Sequence, residues 1–301
     1  MRVLITGATG LIGKAIVKQC HKKGIEVHYL TTSKNKISTA SNYKGFYWNP
    51  KNNEIDSECF VDVDAIINLA GASISKRWTP SYKQQILDSR IQSLELLKST
   101  LANENISVKQ IISASAIGVY PDSLTNYYEE TFDEVSPTFL GKVVNAWEDK
   151  VDAFKALNIK VTKVRIGLVL DAKEGALPEM VKPVTFGAGA AFGEGTQWQS
   201  WIHVKDLARL FVYTFTEELE GVYNGVAPNP VTNNELIKAI AKQKKRPLLL
   251  PNIPKSIMKL LLGEMHILLF ESQRVSSKKI EGEGFHFKHH HLQPTLEDLL
   301  K

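Results

Sequence analysis

Five residues that read as a buried strand, Arg2-Val3-Leu4-Ile5-Thr6, run straight into Gly7-Ala8-Thr9-Gly10-Leu11-Ile12-Gly13, and Lys14-Ala15-Ile16-Val17-Lys18 then starts a helix. Strand, glycine turn and helix in that order leave the chain few ways to fold. A glycine at 7 lets the backbone turn sharply off the strand, one at 10 brings amides close to a pyrophosphate, and one at 13 lets the helix pack tightly on the sheet. The helix N-terminus then offers free N–H groups and its positive dipole end to the phosphates. The pattern predicts a dinucleotide-binding β-turn-α unit, with Gly7, Thr9, Gly10, Leu11, Ile12 and Gly13 against the cofactor.

The apolar runs that follow alternate with helical periodicity, the pattern of a parallel sheet covered by helices on both faces. Strands are expected near residues 2 to 6, 25 to 31, 45 to 48, 64 to 70, 109 to 114 and 160 to 167, and helices near 11 to 23, 80 to 103 and 140 to 157. The fold class is α/β, a Rossmann-type doubly wound parallel sheet with a smaller C-terminal substrate lobe. Right-handed crossovers put every strand's C-terminal end on one edge, where ligands bind. After Leu170 the alternation gives way to the glycine-rich stretch 187 to 195. The domains are therefore placed at 1–170 for the nucleotide-binding unit and 171–301 for the lobe, with 245–301 as its distinctive terminal region.

Composition narrows the function classes. The 301 residues are 43% hydrophobic and 23% charged, ordinary globular usage, and apolar runs such as Ile267-Leu268-Leu269-Phe270 are too short to cross a bilayer. The net charge is +5, but the lysines are scattered without a basic run, so an anionic ligand is expected rather than nucleic acid. Two cysteines, Cys20 and Cys59, give neither a disulfide framework nor metal-ligand spacing, and no metal is expected. A reducing, cytoplasmic setting without a removable leader fits the start on a core strand. The tract Lys288-His289-His290-His291 is read as a solvated turn before a last amphipathic helix, 294 to 300.

An acidic side chain at the end of the second strand binds a ribose 2′-hydroxyl, whereas basic or hydroxyl groups accept a 2′-phosphate. Here the segment is Tyr29-Leu30-Thr31-Thr32-Ser33-Lys34, with no carboxylate. Thr32, Ser33 and Lys34 are assigned to the cofactor, and NADP(H) is favoured, with NAD(H) the alternative. Asn68-Leu69-Ala70-Gly71 follows the fourth strand, where small residues let the backbone pass beside adenine and ribose, so Asn68, Ala70 and Gly71 join the set.

The Gly-x-x-Gly-x-x-Gly spacing resembles the extended short-chain dehydrogenase/reductase superfamily. Ser113-Ala114-Ser115-Ala116-Ile117-Gly118-Val119-Tyr120 looks like its serine segment, which implies that Ser115 hydrogen-bonds a substrate oxygen; a buried serine capping the strand end is the alternative. In active members a tyrosine precedes a lysine by four residues on the next helix, so both share one face and the lysine lowers the phenol's pKa. The corresponding helix reads Phe139-Leu140-Gly141-Lys142-Val143-Val144-Asn145-Ala146-Trp147-Glu148, placing Leu140 and Val144 at those positions. Tyr120 is the alternative phenol near the active edge, with structural packing as its other reading.

Lys76-Arg77-Trp78-Thr79, Ser89-Arg90, Val164-Arg165-Ile166-Gly167-Leu168-Val169-Leu170, Gln197 to Asp206, Asn224 to Val231 and Gly282-Glu283-Gly284-Phe285-His286-Phe287 narrow the resemblance to the atypical, sugar nucleotide epimerase-like group with a distinctive C-terminal domain. The resemblance implies a nicotinamide dinucleotide, chiefly NADP(H), with the substrate unassigned. Many relatives carry Thr-Arg after the second strand where this chain has Thr31-Thr32, which removes a bidentate phosphate partner. Arg77 is assigned to a cofactor or substrate phosphate. Arg90 is left between an anion and a buried carboxylate, and Asp206 is expected to cap the helix from Leu207.

The expected function is an NADP(H)-binding oxidoreductase or epimerase-like protein. Its partner would be a small polar or phosphorylated molecule, with no nucleic acid and no membrane, and Ser115 and Tyr120 are the catalytic candidates. The alternative is a non-catalytic NADP(H)-binding sensor. Oligomeric state is left open; the resemblance implies that a homodimer, if one forms, would pair through the two helices that include 80 to 103 and 140 to 157.

Overall fold

The computed structural model describes all 301 residues. Seven strands run parallel through its centre: β1 (Arg2–Thr6), β2 (Glu26–Thr31), β3 (Tyr43–Asn49), β4 (Ala65–Asn68), β5 (Gln110–Ala116), β6 (Lys160–Ile166) and β7 (Gly221–Gly225). They lie in the order β7-β6-β5-β4-β1-β2-β3. Two short strands, Thr39–Ala40 and Glu54–Ile55, pair antiparallel with β3. The interior strands are nearly continuous apolar runs, with Val3, Leu4, Ile5, Ile66, Ile67, Ile111 and Ile112 fully buried, as a parallel sheet covered on both faces requires.

Six principal helices accompany the sheet: α1 (Leu11–Lys22), α2 (Pro80–Asn103), α3 (Phe139–Asp152), α4 (Ala176–Thr185), α5 (Val204–Thr216) and α6 (Asn233–Gln243). From β1 the chain crosses to β2 in one direction, and from β4 it crosses to β5 in the other. Right-handed crossovers therefore put α1, packed with α5, on one face and α2, packed with α3, on the opposite face. Between β1 and β4 the direction of winding reverses, which opens a crevice at the strands' C-terminal ends. No helix is long and apolar enough to cross a membrane.

All six expected strands and three expected helices form, with ends shifted by a few residues. The third helix stops at Asp152 and continues as a tighter 3₁₀ turn over Ala153–Leu157. The main sheet also extends past residue 170: α5 returns to pack on α1, and β7 adds a seventh parallel strand beside β6. The periodicity of 204–225 is that of any short helix and strand, and nothing local marks this segment as rejoining the sheet. What remains of the lobe has its own core, with Leu177 of α4, Trp201, Leu236 and Ile240 of α6, and Leu296 of the final helix, Leu292–Leu299. Cys20 and Cys59 are both buried and free, and burial pushes the Cys20 thiol up to about 12.

The histidine tract is packed more firmly than a solvated turn. Lys288, His290 and His291 are exposed, but the His289 ring stacks on the fully buried His203 at 3.8 Å between centroids, and its Nδ1 meets Asp206 at 3.0 Å. Asp206 is itself buried. It accepts the backbone N–H groups of Lys288 and His289 at 3.0 and 2.8 Å and the Arg209 guanidinium at 2.6 Å. The cap of α5 is His203, whose Nδ1 accepts the Lys205 N–H at 2.9 Å; Asp206 instead fastens the C-terminal segment to this helix. Asp298 completes the group, with Oδ2 at 3.8 Å from His203 Nε2 and 3.9 Å from His289 Nε2. Because Nδ1 of His203 is an acceptor, its Nε2 carries the proton in the neutral ring, and at 3.8 Å from Asp298 this buried N–H has no hydrogen-bond partner.

Burial, and then the neighbouring His289 and Lys205 charges, lower the His203 pKa from 6.5 to about 4. The unfolded chain therefore binds the extra proton first as pH falls. The stability due to neutral His203 is complete above about pH 6.5 and is lost progressively as pH falls toward about 4. Urea midpoints measured across that range should fall with pH in the native protein, and the His203→Gln variant should show a flatter profile.

Candidate functional site

At the C-terminal end of β1, Gly7 adopts φ +73°, and its carbonyl accepts the Gly10 N–H at 3.1 Å. A Cβ on Gly13 would collide with that same carbonyl, so only glycine lets α1 start this close to the turn. Gly10 caps α1 without a side chain, and the first helical turn carries no acidic residue. Thr9 and Gly10 are exposed beside the half-buried Leu11 and Ile12. An N-terminus left open in this way fits a pyrophosphate.

The end of β2 adds no negative charge. Thr31 is buried and its Oγ1 accepts the Ser33 N–H at 3.2 Å, while Thr32 and Lys34 are exposed. Lys34 makes no salt bridge, and its Nζ sits 5.0 Å from the Tyr47 ring centroid. After β4 the backbone is held by Thr6, whose Oγ1 accepts the N–H groups of Leu69 and Ala70, each at 3.0 Å, and donates to Asn68 at 2.8 Å. Asn68 is fully buried and donates to Ser113 at 3.0 Å. Its side chain thus joins three strands and shapes the turn that presents Ala70 and Gly71. Arg77 is exposed in the following loop, whereas Trp78 is buried with Ile86, Val143 and Met265.

Beyond this turn lies a mostly apolar cavity of about 210 Å³. Ala116, Ile117 and Gly118 line it from the end of β5, Leu140 and Val144 from α3, and Gly167 from the loop after β6. A wider cleft of about 830 Å³ adjoins it, sharing Ile74, Leu168, Gln199 and Leu268. The structure thus brings Leu140 and Val144 together with the end of β5, one helical turn apart on the same wall.

Ser115 and Tyr120 do not line either space. Side chains alternate along β5, so Ala116 faces the cavity and Ser115 faces α3, where its Oγ donates to Glu148 at 2.5 Å. Arg165 of β6 grips the same carboxylate with Nε at 2.9 Å and Nη2 at 3.0 Å, and its Nη1 reaches the Tyr120 hydroxyl at 3.0 Å. Tyr120 is fully buried and donates to Asn224 of β7 at 2.8 Å. Burial opposes ionisation of Glu148, but the Arg165 guanidinium outweighs it and holds the carboxyl below its usual range. Burial pushes the Tyr120 phenol up despite Arg165. Both candidates belong to an ion-pair network that fixes α3 to the sheet.

The far wall comes from residues singled out for no role in the sequence: Gln199, Ile267, Leu268, Glu271 and Gln273. Gln199 falls within the 197–206 motif, but no local motif marks the other four, which reach the cavity only through the fold of the C-terminal region. Arg90 also lines it and makes no salt bridge; its Nη1 donates to the carbonyls of Ile86 at 2.7 Å and Ala72 at 3.3 Å.

Residues 3–225 match the NAD dependent epimerase/dehydratase family, and residues 253–299 match a domain of unknown function, DUF1731. Over 99% of this chain and 98% of the relative, it is 35% identical to an epimerase family protein of Staphylococcus aureus strain MRSA252. With the same coverage it is 37% identical to one of Staphylococcus saprophyticus. The human epimerase family protein SDR39U1, solved with NADPH, superimposes with a TM-score of 0.85 at 26% identity, covering 99% of each chain. A UDP-glucose 4-epimerase of Thermus thermophilus, solved with NAD, shares the fold at a TM-score of 0.77 and 18% identity, covering 99% of this chain and 97% of that one. The chain belongs to the NAD dependent epimerase/dehydratase family, as an atypical short-chain dehydrogenase/reductase with a DUF1731 domain after its Rossmann sheet.

Proposed function

We propose that this protein is an NADP(H)-dependent oxidoreductase or epimerase-like enzyme whose small-molecule substrate enters the cavity beside Leu140 and Val144. The observation that carries the proposal is the uncapped start of α1 beside Gly7, next to a β2 end that offers Ser33 and Lys34 and no carboxylate. The human relative solved with NADPH supports the same cofactor. The amides of residues 7–13 receive the pyrophosphate, and Thr32, Ser33 and Lys34 receive the 2′-phosphate. Ala70 and Gly71 pass beside adenine and ribose on the turn that Thr6 and Asn68 hold, and Arg77 is free to meet a phosphate. When bound, a nicotinamide supplies hydride chemistry at its C4 position.

This chain's own residues mainly orient the reactants and exclude water. Leu140, Val144 and Ala116 replace a Tyr-x-x-x-Lys proton shuttle with apolar wall, and Ser115 and Tyr120 hold α3 rather than transfer protons. General acid–base help is worth about two to four orders of magnitude, so turnover without that shuttle is slow or draws a proton from elsewhere in the cavity. The same apolar wall favours a second reading, an NADP(H)-binding regulatory protein without turnover.

Fluorescence titration should give an NADPH affinity about tenfold or more above that for NADH, and Lys34→Ala should narrow the gap. Equal affinities would reject the 2′-phosphate assignment, and no binding of either would reject the cofactor. Glu148→Gln should cost about 3–5 kcal/mol in urea unfolding and Ser115→Ala about 1 kcal/mol. A Ser115→Ala variant of unchanged stability would contradict its structural role. The Leu140→Tyr, Val144→Lys double variant separates the two functional readings: gain of carbonyl-reductase activity marks a competent catalytic cleft, and continued silence with NADPH still bound favours the regulatory protein.

A further inference from the structure

Of the side chains lining the 210 Å³ cavity, only Arg90 and Glu271 are titratable. Among the polar groups there, Ser200 Oγ donates to the Gln273 carbonyl at 2.8 Å and accepts the Val275 N–H at 2.9 Å, and Trp198 Nε1 donates to Leu124 at 3.0 Å, while the buried Trp147 Nε1 has no hydrogen-bond partner. Arg90 lies in an unusual setting for a guanidinium. Its Cζ is 4.9 Å from the Trp147 ring centroid, and a Cβ on Gly71 would sit 3.0 Å from it, so the group is wedged between α3 and the turn after β4. No carboxylate lies within ion-pair distance. Its hydrogen bonds to protein all use Nη1, which leaves the Nε and Nη2 donors without a protein acceptor. Loss of hydration lowers its pKa to about 10. A half-buried cation stacked on an indole, with one donor edge free, has the geometry that grips a carboxylate with two parallel bonds.

Glu271 sets the charge balance. It is half-buried, and its Oε2 accepts Gln273 Nε2 at 3.2 Å. Burial raises its pKa, the Gln273 hydrogen bond opposes the rise, the charge of Asp122 adds to it, and Lys255 opposes it. Arg90 is the other charged group lining the cavity. With Glu271 ionised, the pair offers an anion no net charge. With Glu271 neutral, the cavity carries one positive charge inside a mostly apolar wall, which suits a single negative charge on an apolar body.

We propose that this cavity binds a monocarboxylate with a compact apolar body, its carboxylate on the free edge of Arg90. The inference rests on the cavity being the substrate site of the oxidoreductase proposed above. It replaces the small polar substrate expected from the sequence with an apolar acid.

The test is calorimetric titration of benzoate, phenylpyruvate and hexanoate into the full chain, both free and saturated with NADP⁺, with NADPH titrated separately. At least one carboxylate should bind saturably, and Arg90→Met should weaken it about tenfold or more while NADPH affinity stays within about twofold. Arg90→Lys, which keeps the charge without the fork, should be intermediate, and a retained NADPH affinity certifies that each variant is folded. Glu271→Gln, which removes the one acidic side chain lining the cavity, should bind the carboxylate at least as tightly as the native protein at the same pH. Three outcomes overturn the inference: no carboxylate binding by protein that binds NADPH, carboxylate binding indifferent to Arg90, or Arg90→Met weakening NADPH alone, which would give Arg90 to the dinucleotide phosphates. Failure to bind NADPH would instead reject the functional proposal, while the titrations into the free protein still report on Arg90.

Discussion

The buried ion pair between Glu148 and Arg165 is the point at which the sheet, α3 and the cavity are fixed to one another. Arg165 projects from β6, Glu148 from α3, and the two meet through parallel hydrogen bonds where little water reaches. Ser115 of β5 and Tyr120 of the following turn attach to the same pair, Asn224 of β7 attaches to Tyr120, and Lys163 reaches Glu148 at 3.5 Å. A charge pair taken out of water has little net value unless its remaining donors and acceptors are also satisfied, and here they are. The position of α3 follows from this network, and with it the positions of Leu140, Val143, Val144 and Trp147 along the cavity wall.

Two polar belts of different kinds therefore cross the sheet. Near the nucleotide loop the belt is neutral: Thr6, Asn68 and Ser113 join three adjacent strands and hold the turn carrying Leu69 and Ala70. Farther along, the belt is charged and reaches through α3. The first shapes the floor beside the cofactor loop, and the second sets the wall of the pocket beyond it. Between them Arg90 stands without a counter-charge, stacked on Trp147, whose buried Nε1 also has no hydrogen-bond partner.

Much of the fold was legible because its signals are local. The glycine loop, the alternation of apolar runs, and Leu140 and Val144 at shuttle spacing can all be read within a few residues. Ser115 could not be placed, because a strand shows its two faces in alternation and the sequence does not say which residue of Ser113-Ala114-Ser115-Ala116 faces the ligand. The partners that decide it, Glu148 and Arg165, lie 33 and 50 residues away. For the same reason β7, Glu271 and the packing of His289 on His203 escaped notice: each depends on contacts between segments far apart in the chain. His289 looked like part of a solvated turn because its neighbours at 288, 290 and 291 are exposed, and only the face it turns to α5 is dry.

The pocket draws its two walls from segments made at different times. β5 and α3 emerge in the first half of synthesis and can pack on the growing sheet at once, whereas Ile267, Leu268, Glu271 and Gln273 follow more than a hundred residues later. Until those residues leave the ribosome, the apolar faces of Leu140, Val143 and Val144 have no opposite wall. Until β7 arrives, β6 is an open strand edge. The nucleotide loop is made early, but α1 beside it gains its packing partner only when α5 arrives, so the loop's support and the pocket's far wall both wait on the second half of the chain.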